Sequence, residues 1–552
     1  MNAKTKIFIK AHSSFVAFIL ASALNAQTII SNVTYDTPGT HNVQTDIANV
    51  TVDPTVNKPA ITVTNADMVF NLSYSSFDNV SRSWMPAGHN MNGSVLGVYA
   101  TRDSAYNMLT DVALTIDNTS FTNNKGAATY QAFGTVWLRD LKAPVTISNS
   151  TFSGNTLTSV SQAWGGAIAG YGTEKTVIDK STFEGNKVDA NQLAYGGAII
   201  LTTSSSSGPG SLLSIDLDVS DSLFKGNQAK ADGAAGGAIA KAGKSGGTVN
   251  ITNTTFTNNV AIGTDYGYSS QFARGGAIYI KDSNINFVAK NNTHIVNTGN
   301  LTKIGDDGAA FSAGGGFLYS ERGTPTGYIN INFDIEAGSS MTIGVRGKAN
   351  EDSIATNNDK NAVLTKDGDG LLTVNGSMKE FFGALRIENG IMAVNGGLTA
   401  TVVQILQDAV LALGDDVRVN DLFEAQTNSN VELFVNSKSD FVQVAMDSNS
   451  AIYIDPNAAL TVTIADGFTY EAGDSYMLFL FDDYGFIDGS FDSVIVSSSD
   501  GRVIDSADYI INYIQTGLIQ GIELLFLIPE PAEVAMLLGA FALAIAAYRR
   551  RK

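Results

Sequence analysis

Apolar and polar residues alternate with a period of two along much of this chain, and the alternation breaks repeatedly at the same place. Leu114-Thr-Ile116 leads through Asp117 and Asn118 to Phe121, and Asn124 follows three residues later. The pattern returns as Val145, Ile147, Phe152 and Asn155, then as Thr176, Ile178, Phe183 and Asn186. Two more copies run Leu217, Val219, Phe224, Asn227 and Val249, Ile251, Phe256, Asn259, and a weaker early one surrounds Phe77. A period of two predicts strands with one buried face. Phe is out of phase with the apolar pair five and seven positions before it, so a bend must fall between them. Beyond the bend the Phe residues make a further inward ladder. Asn tolerates the left-handed region and bonds its own backbone at turns, so a ladder of Asn is expected at each corner.

A second motif alternates with the first. Gly-Gly-Ala-Ile occurs at Gly165, Gly196, Gly236 and Gly275, with degenerate copies at Gly134-Thr-Val136 and Gly315-Gly-Phe-Leu318. The Phe-to-Phe step is 31, 31, 41 and 32 residues, so loops of variable length hang from a constant frame. The Gly pair supplies positive φ and close backbone approach where a strand begins. As a phosphate cradle it lacks the Lys and the strand-to-helix context that chemistry needs. A repeat of this kind predicts an all-β chain, a right-handed parallel β-helix whose coils bury one continuous core.

After Gly323 the repeats fade while strands continue, as in Ile329–Ile335 and Leu460–Ile464, with Gly485–Phe491 expected as a turn-rich link. The expected organisation is a signal segment at 1–26, β-helix at 27–320, further rungs at 321–420, a terminal β region or cap at 421–528, and a sorting tail at 529–552. A solenoid needs a capped end to hide its last apolar rung.

The two ends differ from the body. Lys4, Lys6 and Lys10 precede the apolar stretch Phe15 to Leu24, with cleavage expected after Ala23 or Ala26, as in a secretory signal peptide. At the other end Pro529-Glu530-Pro531 bars helix, an apolar run from Val534 to Tyr548 is expected to form a short membrane helix, and Arg549, Arg550, Arg551 and Lys552 follow. Removing the +3 of residues 1–26 and the +3 of residues 532–552 from the total of −19 leaves −25 on the body. That charge speaks against nucleic acid and anionic lipid as partners. The sequence has no Cys, which rules out disulfides and thiolate metal sites.

Three resemblances follow from these residues. Pro529-Glu530-Pro531, the apolar helix and the Arg cluster together resemble the PEP-CTERM sorting signal. This implies recognition by an exosortase-like membrane enzyme, transient inner-membrane anchoring, and delivery to the cell surface, outer membrane or extracellular matrix of a Gram-negative bacterium. Gly-Gly-Ala-Ile alternating with Phe-x-x-Asn resembles the repeat of chlamydial polymorphic outer membrane proteins, which implies a β-helical passenger used in adhesion. That family's C-terminal β-barrel translocator is not expected here, its place being taken by the sorting tail. Thr365-Lys366-Asp367-Gly368-Asp369-Gly370 resembles the passenger-associated repeat of autotransporters and implies further rungs with glycines at corners.

No residue set emerges for catalysis, metal binding or a cofactor. Four positions before Phe stand Asp117, Ser148, Asp179, Ser220 and Thr252, and three before stand Asn118, Asn149, Lys180, Asp221 and Asn253, a polar face without stacked acids beside an Arg. In the body His41, His89 and His294 are scattered, and Asp367-Gly-Asp369 reads as a turn rather than a calcium loop. The expected function is a non-catalytic, structural or adhesive surface protein, with cell-surface polysaccharide or other matrix components as partners. Residues 204–211 and 262–272 are its expected binding loops. The alternative is a β-helical polysaccharide lyase or glycoside hydrolase, which needs charged groups gathered in a groove.

Overall fold

The computed structural model describes Lys6–Ile7, Thr28–Ile30 and residues 32–527, less the stretches 54–56, 65, 85, 87–88, 102–109, 204–213, 244–245, 266–270, 305–311, 324–328, 349–350, 358, 469 and 516–518. The expected signal segment other than Lys6–Ile7, the sorting tail at 529–552 and the whole of the expected loop 204–211 therefore lie outside the described residues. The chain divides into two compact units, Met1–Thr399 and Ala400–Lys552.

The first unit is a parallel β-helix. One coil runs through five short strands: Val112–Asp117, Ser120–Thr122, Lys125–Ala128, Gln131–Phe133 and Val136–Arg139. The next coil begins at Val145, in register with Leu114. The expected ladders are present. Leu114, Val145, Thr176, Leu217 and Val249 pair in sequence, as do Ile116, Ile147, Ile178, Val219 and Ile251, and all are buried. The rings of Phe77, Phe121, Phe152, Phe183, Phe224 and Phe256 stack at 4.7–5.0 Å between centroids and within 11° of parallel. Burying one such ring contributes about 1.5–3 kcal/mol. The ladder ends where the next coil has no Phe. There Phe317, at the Ala position of its Gly-Gly copy, packs on Phe256 and Phe287.

The corners refine the expectation. The left-handed residue after each Phe is not the Asn but the residue before it: Asn79, Asn123, Gly154, Gly185, Gly226 and Asn258, with φ between 50° and 65°. This frees the Asn to turn inward, where it is fully buried. Asn124 Nδ2 donates to Asn155 Oδ1 (2.9 Å) and to the Phe77 carbonyl (3.0 Å), and Asn155 repeats this with Asn186 and Phe121. The Asn side chains thus bond from coil to coil rather than to their own backbone. The ladder continues through Asn227, Asn259 and Asn300 and ends on a carboxylate, Asp352.

The bend before each Phe is built the same way. Asn118, Asn149, Lys180, Asp221 and Asn253 take φ near 47°. The hydroxyls that follow, Thr119, Ser150, Ser181, Ser222 and Thr254, form a second buried ladder: Ser150 Oγ accepts from the Thr119 amide and donates to the Ser148 carbonyl. Buried polar groups left unpaired are costly, and these two ladders satisfy corner amides that strand pairing cannot reach.

At the third corner the Gly pair is required. Gly165, Gly196, Gly236, Gly275 and Gly315 have φ of 62–69°. A Cβ on the second glycine, Gly166, would collide with the Gly197 carbonyl of the next coil.

Rungs continue past residue 321. Ile329–Ile335, Ala362–Asp367 and Ala384–Ile387 stack in parallel, as do Ser340–Ile343, Leu371–Val374 and Ile391–Val394. Lys366 is buried in this stack and donates to the carbonyls of Asp367 (2.9 Å), Gly368 (2.6 Å) and Asn389 (2.9 Å). Burial pushes its amine down to about 8.

The second unit keeps parallel pairing at first. Val410–Leu413, Asn430–Ser437, Ala459–Ile464 and Ser493–Ser498 stack in order. Within the expected link, Phe486–Asp488 forms a strand beside Ala451–Tyr453. The pairing then turns antiparallel: Gly521–Phe526 lies between Ser475–Phe481 and Tyr509–Ile514 and closes the stack. Among the described residues no helix is long and apolar enough to cross a membrane.

Candidate functional site

The Gly-Gly corner has an outer side as well as an inner one. Alternation sends Ala132, Val136 and Leu138 into the core and leaves Gln131, Phe133, Trp137 and Arg139 outside. Phe133 and Trp137 flank Gly134-Thr135 and meet at 5.4 Å, so both are nearly buried although they face away from the β-helix interior. On later coils the Phe133 position carries Trp164 and Tyr195, the Gln131 position carries Phe272, and the Trp137 position carries Tyr279 and Tyr319. A second aromatic stripe results. Its contacts are Tyr99–Trp137 (4.7 Å), Phe133–Trp164 (6.1 Å), Trp164–Tyr195 (5.5 Å), Tyr195–Tyr279 (6.0 Å) and Tyr279–Tyr319 (6.3 Å).

The early coils open beside this stripe into a cleft of about 560 Å³ lined by Phe133, Trp137 and Trp164. Its polar wall is mostly amide: Asn57, Asn90, Asn92, Gln131 and Gln162, with Gln131 Nε2 donating to Gln162 Oε1 at 2.8 Å. Arg139 is the charged residue in the lining. Arg82, buried beneath, donates to Asn57 Oδ1 (2.6 Å) and to the Asn92 carbonyl (3.0 Å), which fixes two of these groups from inside. Burial pushes the Arg82 guanidinium down to about 10, and Tyr99 beside it opposes the fall.

At its far end the stripe becomes charged. Glu321, 5% exposed, accepts from Arg274 Nη1 (2.5 Å), Tyr279 OH (2.6 Å) and Lys281 Nζ (3.1 Å). The Arg274 guanidinium lies 4.8 Å over Phe272 and 5.1 Å from the Tyr319 ring centroid. Burial pushes the Tyr195 and Tyr319 phenols up to about 12 and Tyr279 well above its usual value. These phenols stay protonated, and Tyr279 and Tyr319 donate hydrogen bonds to Glu321 and Asn357. A general base works best with its pKa near the operating pH, which they do not approach.

Residues singled out from the sequence fall elsewhere. Asp117 and Asp179 sit on the solvated face, where Ser148 and Ser220 donate to them at 2.6 and 2.7 Å. Bonds from Ser148 and Asn149 hold the Asp117 carboxyl below its usual value. Asp367 closes a turn, accepting from Asn389 Nδ2 and the Gly368 amide at 2.7 Å each. His41 contacts the Thr37 carbonyl and His294 contacts Ser340, and neither lines the cleft. Ile262 and Phe272, ends of the second expected loop, lie in strands. Thr202 and Thr203, which lead into the first loop, line the cleft. The sequence reading missed the cleft and the Arg274–Glu321 cluster. Aligning the copies on the Gly pair brings out one wall of the stripe, the residue before it reading Phe133, Trp164, Tyr195, Ala235, Arg274, but neither Asn90 nor Glu321.

A coil of stacked parallel strands with cleft and stripe on its outside defines the class. Residues 59–294 match the family described as right handed beta helix region. A probable autotransporter of Escherichia coli strain K12, YfaL, is 27% identical over 220 residues, 38% of this chain and 16% of that relative's length. The chain therefore aligns with a small part of the curated relative it matches.

Proposed function

We propose that this chain is an exported, displayed β-helix with a structural or adhesive role at the cell surface or in the extracellular matrix. The observation that carries the reading is how the coil faces are used. Two corners are filled by uniform coil-to-coil ladders, and the third presents varied aromatic and amide side chains outward. A likeness to an autotransporter supports display outside the cell. The sorting reading assigns Pro529, Glu530, Pro531, Arg549, Arg550 and Arg551 to an exosortase-like enzyme that removes the tail after transient anchoring in the inner membrane of a Gram-negative cell. Replacing Pro529-Glu530-Pro531 by Ala tests it. The exported protein then retains the mass of residues 529–552; release at the wild-type mass contradicts the assignment.

The Arg274–Lys281–Tyr279–Glu321 cluster favours a second reading, a carbohydrate-active enzyme. Incubating the purified protein with acidic and neutral glycans separates the two. The non-catalytic reading predicts no released oligosaccharide. Turnover abolished by Glu321→Gln would establish the enzyme.

A further inference from the structure

We propose that the outer cleft binds a neutral, linear polysaccharide lying along the helix axis, about one pyranose ring to a coil. The proposal rests on the reading of the protein as a displayed β-helix and names the partner its cleft takes.

The lining supplies the two contacts a sugar ring needs. Phe133, Trp137 and Trp164 give apolar faces for the C–H side of a pyranose, and the Asn and Gln amides donate to and accept from its hydroxyls. The cleft also contains unused bonding capacity. Trp137 is 5% exposed, yet its Nε1 has no hydrogen-bond partner among the described residues, nor have Trp164 Nε1 and Asn90 Oδ1. Buried polar groups left without a hydrogen bond are costly to the fold. These three atoms are themselves buried, so a glycan reaches them only where the side chains covering them move aside; its hydroxyl groups can then serve donors and acceptor alike.

Charge and spacing narrow the class. In a chain of net charge −19, the charged lining residue is Arg139, which also pairs with Asp140 at 3.2 Å. A polyanion site would gather several cations. Successive coils stand about 4.8 Å apart, and Phe133 and Trp164, on neighbouring coils, follow each other along the cleft at 6.1 Å. This repeat suits a polymer of rings. An extended peptide would add to free backbone groups at a sheet edge, whereas here the corner amides already pair: Gly134 donates to the Trp164 carbonyl and Gly165 to that of Tyr195.

The chain has three Trp residues, and two of them line the cleft, so intrinsic fluorescence reads the site directly. Full-length protein is titrated with laminarin, arabinoxylan and dextran as neutral chains, with alginate as an acidic one, and with a tryptic digest of casein. At least one neutral chain is expected to shift the emission. Trp164→Ala and Gln162→Ala should weaken that binding at least tenfold with melting temperatures within a few degrees of wild type. Trp137→Phe keeps a ring but removes the lone N–H, and should weaken it several-fold. Tyr74→Ala, a remote and exposed aromatic, should bind like wild type. No response of the folded protein to any neutral chain, or a response to alginate or peptides alone, overturns the proposal. Fractionation of cells separates its failure from that of the display reading. Surface protein without glycan binding refutes the site alone, and glycan-binding protein held in the cytoplasm refutes display alone.

Discussion

Two aromatic stripes climb the same coils, one inside and one outside, and they are built differently. The inner stripe repeats a single residue. Its Phe rings are unexposed, nearly parallel and evenly spaced. The outer stripe mixes Phe, Trp and Tyr, its rings are mostly tilted, and the N–H groups of Trp137 and Trp164 have no partner among the described residues. Close packing explains the first, since identical side chains in register fill one core without voids. It does not explain the second, where residue type changes from Phe133 to Trp164 to Tyr195 while the backbone does not. A uniform ladder supports folding; a varied one on the same frame presents chemistry.

The contrast can be broken by substitution, and the largest effect belongs to the inner stripe. Phe152→Ala should cost about 3–5 kcal/mol through lost burial and a cavity between two rings, read as a lower urea midpoint. Asn186→Leu comes next. It leaves the Asn155 amide and Nδ2 without their acceptor and also removes the bonds to Phe152 and Asn227. With about 1–3 kcal/mol for each unsatisfied group, a loss of about 2–4 kcal/mol is expected in the same assay.

The end of the Asn ladder gives a pH dependence. Burial pushes the Asp352 carboxyl up from 3.8 to about 6, against the lowering effect of bonds from Asn300 and Gly299. The folded chain holds this proton more tightly than the unfolded one, so the contribution favours folding below about pH 4 and is lost as pH rises through 6. About two pKa units correspond to about 2–3 kcal/mol. The difference in urea midpoint between wild type and Asp352→Asn, followed from pH 4 to 7, should carry this slope. A flat difference contradicts the role of Asp352. The smallest effect on stability belongs to the outer stripe: Trp164→Ala should cost about 1 kcal/mol, the loss of a partly exposed ring.

The inner half of the molecule was legible in the sequence because its signals repeat. Phe, the apolar pair and Asn recur at fixed offsets, and each maps onto a ladder. The left-handed corner was misplaced by one residue, since Asn123 and Gly154 differ in type while Asn124 and Asn155 match. The hydroxyl ladder from Thr119 to Thr254 was missed because Ser and Thr are abundant and draw no notice. The cleft was illegible for the opposite reason. Its residues do not repeat, and only the three-dimensional register brings Trp137, Trp164 and Asn90 to one place.

The central claim is that the outer stripe binds while the inner stripe folds. Thermal melting of wild type and Trp164→Ala, each with and without the neutral polysaccharide that shifts the fluorescence, tests it most directly, since a ligand that binds only the folded chain raises its melting temperature. The account predicts nearly equal melting temperatures without glycan, and a rise on adding glycan in wild type alone. A collapse of Trp164→Ala without glycan, or an equal rise in both proteins, would contradict it.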